Sequence, residues 1–185
     1  MSLLVWNCQG LENPRAIRIL KKLSKEKCPK LVFLVETKCS KVRMDEVRRT
    51  LKFDACFDVE RVGLSGGIAL LWKKVKVINY TRWHISALVT EHNSNSPWLF
   101  SGFYGHPDKT KRKGSWELLT RIKPDPMTLW LCAGDFNKIL HQREKVGGPS
   151  RPYRQIEKFR LAGEACGIRD IPSLGQRYTW SNNRR

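Results

Sequence analysis

Residues 31–38 of the sequence read LVFLVETK. Five consecutive apolar residues, among them Val32 and Phe33, are typical of a short strand buried inside a sheet. The run stops abruptly at Glu36, so the segment predicts a buried strand that places a carboxylate at its end.

The segment upstream of this run extends the pattern. A shorter apolar run, Leu3–Trp6, predicts another buried strand. Between the two runs, Asn13 can cap a helix and Pro14 suits its first turn, while Leu20 lies on an apolar face among lysines. Strand, amphipathic helix and strand in this order predict an α/β layered structure.

The rest of the chain continues in the same manner. Further strands are predicted at residues 68–72, 75–90, 98–104, 129–133 and 177–180. Further helices are predicted at residues 42–51, 110–122 and 156–166. Because no helical pattern separates residues 68–104, we expect antiparallel strand pairs there. A single domain spanning residues 1–185 is the simplest division.

The composition points to a polyanionic partner. The chain has 35 Lys and Arg residues against 17 Asp and Glu residues, a formal net charge of +18. Such an excess favours nucleic acid as the partner, with an anionic membrane surface as the second possibility. No apolar stretch approaches the roughly 20 residues that a membrane span requires.

The cysteines indicate a reducing compartment. Six cysteines occur without a Cys-x-x-Cys pair, and the apolar run at the N-terminus is too short for a secretory signal. We therefore expect reduced thiols in a nuclear or cytoplasmic protein that is not secreted. The four histidines are scattered, which disfavours a structural zinc site.

Polar residues follow several of the predicted strands. Asn7, Glu36 and Tyr104 each come at the end of one, and Asp135 and Asn137 follow another. If these strands lie side by side, their ends bring two carboxylates, two amides and a phenol to one rim. Hard oxygen ligands of this kind suit Mg²⁺, or Mn²⁺, rather than zinc or copper.

A divalent cation makes this rim compatible with phosphate. Two like charges about 4 Å apart repel by about 4 kcal/mol at an effective dielectric constant near 20. Glu36 and Asp135 therefore disfavour a phosphate unless a cation lies between them. With the cation, a water molecule oriented by Asp135 and Asn137 can attack in line, which predicts phosphodiester hydrolysis.

Each of these residues also has a structural interpretation. Asn7 can be a turn residue, Tyr104 a rim aromatic and Glu36 a cap of the following loop. Asp135 and Asn137 can form an Asx turn. The pattern of five therefore carries more weight than any of its members.

A basic segment follows the predicted Tyr104 strand. Lys109, Lys111, Arg112 and Lys113 are interpreted as contacts to a phosphate backbone, with a solvated helix start as the alternative. The sequence shows no module for reading bases, such as a helix-turn-helix.

Several motifs in chain order carry a resemblance to a known family. They are Trp6-Asn7, Glu36-Thr37-Lys38, Ser65-Gly66-Gly67, Gly102-Phe103-Tyr104-Gly105, Gly134-Asp135-Phe136-Asn137 and Tyr178-Thr179-Trp180. The series resembles the endonuclease/exonuclease/phosphatase superfamily. More closely, with Glu144-Lys145 before Gly147-Gly148, it is similar to the apurinic-endonuclease-like domain of plant non-LTR (LINE-type) retrotransposon proteins.

The resemblance implies a four-layer α-β-β-α sandwich of two packed mixed sheets flanked by helices. It also implies an Mg²⁺-dependent endonuclease that nicks DNA to leave a primer for reverse transcription. Glu36 is then the metal ligand, assisted by Asn7, and Tyr104 contacts the scissile phosphate. Asp135 orients or activates water, and Asn137 binds phosphate and positions Asp135. Trp180 is implied to lie near the DNA-facing rim.

The family pattern continues beyond the motifs present here. In that family an Asp after Arg-Leu and a Ser-Asp-His motif follow the Tyr-Thr-Trp strand, and neither occurs in this sequence. We therefore expect a C-terminally truncated domain that lacks its last strands, with activity reduced by at least 10²–10⁴-fold. His106 and His141 are the candidate substitutes, although their spacing ties neither to Asp135.

Two rival hypotheses remain open at this point. One is a catalytically inactive remnant that still binds DNA or RNA. The other is a small-molecule or lipid phosphatase of the same superfamily, which the charge of +18 disfavours because a small ligand does not need so large a field. No small-molecule cofactor is expected, and the sequence does not indicate an oligomeric state.

Overall fold

The computed structural model describes residues 1–63, 66–91, 96–172, 174, 175 and 178. Contacts along the chain divide it into two compact units. The first unit comprises Met1–Gly105 and Pro124–Asp135, and the second comprises His106–Lys123 and Phe136–Arg185.

The first sheet of the first unit contains the strand predicted at residues 31–35. Its strands are β1 (Leu3–Asn7), β2 (Leu31–Val35), β3 (Ala55–Val59) and β4 (Ile68–Trp72), in the order β1-β2-β4-β3. β1 and β2 are parallel, with Asn7 opposite Val35. β4 is antiparallel to both of its neighbours. All five residues of β2 are buried, as expected for a strand covered on both faces.

Two helices pack on one face of this sheet. α1 (Pro14–Lys27) begins where the Asn13 side chain accepts a hydrogen bond from the Arg15 amide, and α2 (Lys41–Leu51) is capped in the same way by Ser40. Their buried side chains join Val32, Leu34, Ala69 and Leu71 in one apolar cluster. The predicted cap at Asn13 and both predicted helices are confirmed.

The second sheet packs on the other face of the first. It contains β5 (Val75–Thr81), β6 (His84–Val89), β7 (Trp98–Tyr104) and β8 (Trp130–Asp135), in that order. The Phe33 and Phe100 rings meet edge to face across the interface, 5.9 Å apart. Gly102 is required here, because a Cβ at this position would lie 2.4 Å from the Phe33 ring.

The strand directions in the second sheet place the last residues of β7 and β8 at the same edge. β5, β6 and β7 form the antiparallel meander that the sequence predicts, but residues 68–72, which that prediction included, form β4 and pair with β2 and β3 in the first sheet. β8 then pairs with β7 in parallel, with Tyr104 opposite Asp135.

The second unit is mainly helical. It contains α3 (Arg112–Arg121), α4 (Tyr153–Cys166) and 3₁₀ turns at Lys109–Lys111 and Gln142–Glu144. Trp116 of α3 stacks on Phe159 of α4, with ring centroids 4.8 Å apart. The stacked rings join α3 to α4 within this unit.

The architecture of two mixed sheets with flanking helices agrees with the predicted fold class. The sequence did not indicate β3, and the helix predicted at residues 110–122 begins at Arg112 after a 3₁₀ turn. The strand predicted at 177–180 lies outside the described residues except for Tyr178. Among the described residues, no helix is long and apolar enough to cross a membrane.

A buried histidine in β6 makes the stability sensitive to acid. His84 is 1% exposed, its Nδ1 pairs with Thr81 Oγ1 at 2.8 Å, and its Nε2 has no hydrogen-bond partner in the described part of the chain. Burial lowers its pKa to about 4. The folded state therefore binds fewer protons than the unfolded state between pH 6.5 and 4, and the free energy of unfolding falls as pH decreases through that window.

We expect His84 to account for a loss of about 3 kcal/mol across this window. Urea unfolding of wild type and His84→Gln at pH 7 and pH 4 measures the effect. The variant should lose less stability on acidification than the wild type. Equal acid sensitivity of wild type and His84→Gln would refute the assignment.

Candidate functional site

The ends of two parallel strand pairs define the candidate site, which lies within the first unit. Asn7 ends β1, and Glu36 follows directly after β2. In the second sheet, Tyr104 ends β7 and Asp135 ends β8. Because each pair is parallel and in register, the last residues of its two strands emerge at the same edge.

Asn7 connects the two carboxylates. Its Nδ2 donates to Glu36 Oε1 at 3.2 Å and to Asp135 Oδ2 at 2.8 Å. Its Oδ1 accepts a hydrogen bond from the Gln9 amide at 3.2 Å, which orients the amide group. Two carboxylates that are 99 positions apart in the sequence therefore meet at one nitrogen atom.

Glu36 has two further partners. Lys38 Nζ lies 2.8 Å from Glu36 Oε2, and the Tyr104 hydroxyl donates to Oε1 at 3.2 Å. Burial by itself raises the pKa of Glu36, but the hydrogen bonds from Lys38, Asn7 and Tyr104 and the charge of Lys38 outweigh it, so the pKa is lowered. The carboxylate is therefore ionised at neutral pH.

Tyr104 remains a hydrogen-bond donor. The residue is 1% exposed, and burial together with the negative charges of Glu36 and Asp135 raises the pKa of its hydroxyl. The phenol consequently keeps its proton throughout the physiological range. Such a group can donate to an anionic ligand but does not act as a base near neutral pH.

The loop that carries Glu36 is held in an unusual conformation. Glu36 and Lys38 have φ values of 55° and 49°, in the left-handed region. Thr37 and Lys38 donate their amides to the carbonyls of Gly67 and Gly66 at 3.1 and 3.3 Å. Gly67 itself has φ 83°, and a Cβ there would lie 2.4 Å from Thr37 Oγ1. The Gly66-Gly67 pair thus supports a strained loop at the site.

The donor set fits a hard divalent cation. Glu36 Oε1 and Asp135 Oδ2 both accept a hydrogen bond from Asn7 Nδ2, at 3.2 and 2.8 Å. The two carboxylate oxygens therefore lie no farther apart than the sum of these two distances. Mg²⁺ is commonly held by one or two carboxylates and several water molecules. No group of three or more His, Cys, Asp or Glu side chains suited to a metal occurs among the described residues. Glu36 and Asp135, with the Asn7 amide oxygen after rotation of that group, could therefore hold Mg²⁺ together with water.

The second unit contains the other predicted site residues. Asn137 follows Asp135 by two positions and adopts a left-handed conformation with φ 54°. Lys109, Lys111 and Lys113 are exposed. The structure describes no position for Trp180.

Arg112 differs from the neighbouring lysines. It is 7% exposed, and its guanidinium donates to the carbonyls of His106 and Pro107 at 3.0 and 2.9 Å. The side chain therefore supports the loop after β7, a role that the run of basic residues did not reveal.

Three residues near the site were not among the sequence-predicted site residues. Lys38 pairs with Glu36, as described above. The centroid of the Trp83 ring lies 5.5 Å from that of the Tyr104 ring, and the Trp83 carbonyl accepts a hydrogen bond from the Tyr104 amide at 2.7 Å. Arg82 in turn lies 4.8 Å from the Trp83 ring centroid. The Glu-Thr-Lys motif could have indicated Lys38, but no local pattern marks Arg82 or Trp83.

The solved structures that resemble this chain include an AP endonuclease and two proteins bound to product DNA. An AP endonuclease from Archaeoglobus fulgidus has a TM-score of 0.64 and 14% identity, covering 90% of this chain and 69% of that chain. A 3′ phosphatase from Neisseria, bound to a product DNA hairpin, has a TM-score of 0.56 and 17% identity, covering 74% and 58%. TDP2 from D. rerio, complexed with a single-strand DNA product, has a TM-score of 0.52 and 20% identity, covering 75% and 61%.

Sequence comparison adds no closer relative. No family model matches the chain, and no curated protein matches it. The chain spans 58% to 69% of the length of the three solved chains described above. The likeness in structure therefore establishes that this chain has the fold of an AP endonuclease.

Proposed function

We propose that the chain is part of an Mg²⁺-dependent DNA endonuclease that nicks target DNA during retrotransposition. The observation that carries this proposal is the convergence of Glu36 and Asp135 on Asn7, with the Tyr104 hydroxyl bonded to the same Glu36 oxygen. The motif series supports the retrotransposon assignment, and the net charge of +18 supports a nucleic-acid substrate.

The proposed reaction is hydrolysis of a phosphodiester bond. A divalent cation held by Glu36 and Asp135 would polarise a phosphate oxygen and offset the negative charge of the two carboxylates. Asp135 orients the attacking water and accepts its proton. The Tyr104 hydroxyl, which has a single proton, turns from Glu36 to donate to a nonbridging phosphate oxygen, and Lys38 supplies positive charge beside Glu36.

The bond that breaks determines the two DNA ends that the reaction leaves. The water oxygen forms a bond to phosphorus as the bond from phosphorus to the 3′ oxygen breaks. The 3′ oxygen takes a proton from solvent, which leaves a 3′ hydroxyl and a 5′ phosphate. A 3′ hydroxyl is the end that a polymerase extends, as priming of reverse transcription requires.

Removal of the metal tests the proposal. Purified chain incubated with supercoiled plasmid and Mg²⁺ should produce nicked circles, and a chelator should abolish nicking. Added Mg²⁺ should restore the activity, because the two carboxylates repel an approaching phosphate without it. Nicking that persists in chelator would exclude a metal-dependent mechanism.

A second candidate is nucleic-acid binding without turnover. The Asn7 amino group, rather than its carbonyl, faces the two carboxylates and holds them together without a cation. This candidate predicts DNA binding that weakens with salt but no nicking with Mg²⁺ or Mn²⁺. The plasmid assay therefore distinguishes the two functions.

A further inference from the structure

The turn between β5 and β6 lies beside the candidate site. Thr81 pairs with His84, so Arg82 and Trp83 form a two-residue turn. β6 pairs with β7, and beyond the last pair of that ladder the Tyr104 amide donates to the Trp83 carbonyl at 2.7 Å. The hydrogen bonds between the two strands therefore continue into the turn and place Trp83 at the same edge of the second sheet as Tyr104.

A side chain holds this turn in place of the usual backbone conformation. Two-residue hairpin turns favour positive φ values, which glycine and asparagine adopt most readily. Neither Arg82 nor Trp83 has a positive φ. Instead, Thr81 Oγ1 accepts a hydrogen bond from the Trp83 amide at 3.1 Å and pairs with His84 Nδ1 at 2.8 Å. Departures of this kind from local preference are expected at functional sites.

Three side chains connect the turn to the site. The centroids of the Tyr104 and Trp83 rings are 5.5 Å apart, and the guanidinium carbon of Arg82 lies 4.8 Å from the Trp83 ring centroid. The Tyr104 hydroxyl bonds to Glu36. Arg82 is therefore no farther from the Tyr104 ring than these two distances combined.

The Arg82 guanidinium is accessible to a ligand. Arg82 is exposed, whereas Trp83 is half-buried. In the ranges that the structure describes, no ion pair involves Arg82. A guanidinium that lies over an aromatic ring keeps the N–H groups along its edge for a ligand, and the ring restricts its motion. Because the cation is arranged before binding, less entropy is lost when a ligand arrives.

A phosphate group has the chemistry to bind this cation. The guanidinium can donate two parallel hydrogen bonds to phosphate oxygens. Each strand of duplex DNA carries one phosphate about every 3.4 Å along the helix axis. With the scissile phosphate at Tyr104, the distances of 5.5 and 4.8 Å bring Arg82 within a few nucleotides of it along the same strand.

We propose that Arg82, held over the Trp83 ring, binds a backbone phosphate that flanks the scissile phosphate of a nucleic-acid strand. Arg82 is then a binding residue, and Trp83 is a positioning residue. This site rests on the proposed function, because Tyr104 marks the position of the scissile phosphate only when the strand-end cluster is catalytic. Neither residue belongs to the basic segment at residues 109–113 that the sequence analysis identified.

DNA binding tests Arg82 separately from catalysis. Each variant is made in the Asp135→Asn chain, which should bind DNA with Mg²⁺ without cutting it, and anisotropy of a labelled duplex is measured over a range of NaCl concentrations. Arg82→Gln should bind about tenfold more weakly than its Asp135→Asn parent and reduce the slope of log K against log salt by about 1. Arg82→Lys keeps the charge but not the planar fork, so it should keep the slope and bind about threefold more weakly.

Lys76→Gln is the matched control. Lys76 is exposed on β5 of the same hairpin, but it pairs with Leu88 at the end of the hairpin opposite the turn. Its replacement removes the same charge, and we expect a change of about twofold or less, because solvent and salt screen an isolated surface charge. Circular dichroism and thermal unfolding check that every variant remains folded.

A double-mutant cycle tests whether Trp83 positions Arg82. In a Trp83→Leu background the ring no longer holds the guanidinium, so Arg82→Gln should weaken binding by about threefold or less instead of tenfold. Trp83→Phe keeps a ring beside both Arg82 and Tyr104 and should preserve most of the effect of Arg82→Gln. An equal effect of Arg82→Gln with and without the ring would exclude the positioning role.

Kinetics distinguish a flanking phosphate from the scissile one. In an otherwise wild-type chain, Arg82→Gln should raise the KM for plasmid nicking about tenfold and change kcat by about twofold or less. A contact to a flanking phosphate is the same in the ground state and the transition state, so its loss affects binding alone. A fall in kcat at unchanged KM overturns the assignment to a flanking phosphate.

The outcomes separate this site from the proposed function. Equal binding by Arg82→Gln and Lys76→Gln overturns the site and leaves the nuclease proposal standing. Weaker binding by Arg82→Gln, without any nicking by the wild type, supports phosphate binding by Arg82 and counts against the nuclease. Inorganic phosphate that competes no better than chloride at equal ionic strength supports a strand as the ligand, whereas stronger competition by inorganic phosphate overturns it.

Discussion

Asp135→Asn should lower the rate of plasmid nicking by at least about 10²-fold, and by as much as about 10⁴-fold. Asp135 Oδ2 accepts a hydrogen bond from Asn7 at 2.8 Å, and an asparagine oxygen can accept the same bond. The substitution therefore preserves the shape of the site while removing one of its two negative charges. In the proposed reaction, the attacking water would then lose its base, and the cation would lose a ligand.

Asp125→Asn is the control for this variant. Asp125 belongs to the same unit, is exposed and has no place in the proposed reaction, so the control makes the same chemical change away from the site. Rates measured at several Mg²⁺ concentrations distinguish weak metal binding, which added Mg²⁺ corrects, from loss of the base. Nicking by Asp135→Asn at the wild-type rate would show that the strand-end cluster is not the site of hydrolysis.

The strand ends of the candidate site could be predicted because they depend on local patterns. The apolar runs before Asn7 and Glu36 identify β1 and β2, and an intervening helix favours parallel pairing. Parallel strands end at the same edge, so the sequence indicated that these side chains converge. The same reasoning places Asp135 beside Tyr104.

Other parts of the site depend on contacts that no local pattern contains. Lys38 reaches Glu36 through a left-handed backbone supported by the carbonyl of Gly66. Trp83 lies beside Tyr104 because β6 and β7 pair with His84 opposite Phe103. Register of this kind is set when the sheet forms and cannot be read from either segment alone.

The edge strand β3 was missed for a related reason. Its sequence, Ala-Cys-Phe-Asp-Val at residues 55–59, contains an acid and only one large side chain, and every residue is only half-buried. Such a strand owes its conformation to hydrogen bonding with β4 rather than to its own propensity. Weak periodicity is therefore expected where a neighbour supplies the stabilisation.

Gly134→Ala should destabilise the fold by about 3–5 kcal/mol. Gly134 lies in β8 immediately before Asp135, opposite Phe103 of β7. A Cβ at this position would lie 1.9 Å from the Phe103 carbonyl oxygen and 2.8 Å from the carbonyl carbon, and φ is 155°. The clash is with the backbone of the adjacent strand, so an alanine side chain fits only if β7 and β8 separate. Their separation also displaces Tyr104 and Asp135.

Gly114→Ala makes the same chemical change but should increase the stability of the fold. Gly114 lies inside α3, and a Cβ there would meet nothing within 4 Å, so alanine should stabilise the helix by up to about 1 kcal/mol. Urea unfolding at pH 7 measures both variants against the wild type. A midpoint for Gly134→Ala that equals the wild-type value would mean that β8 does not pair with β7 in the register that brings Asp135 to the site.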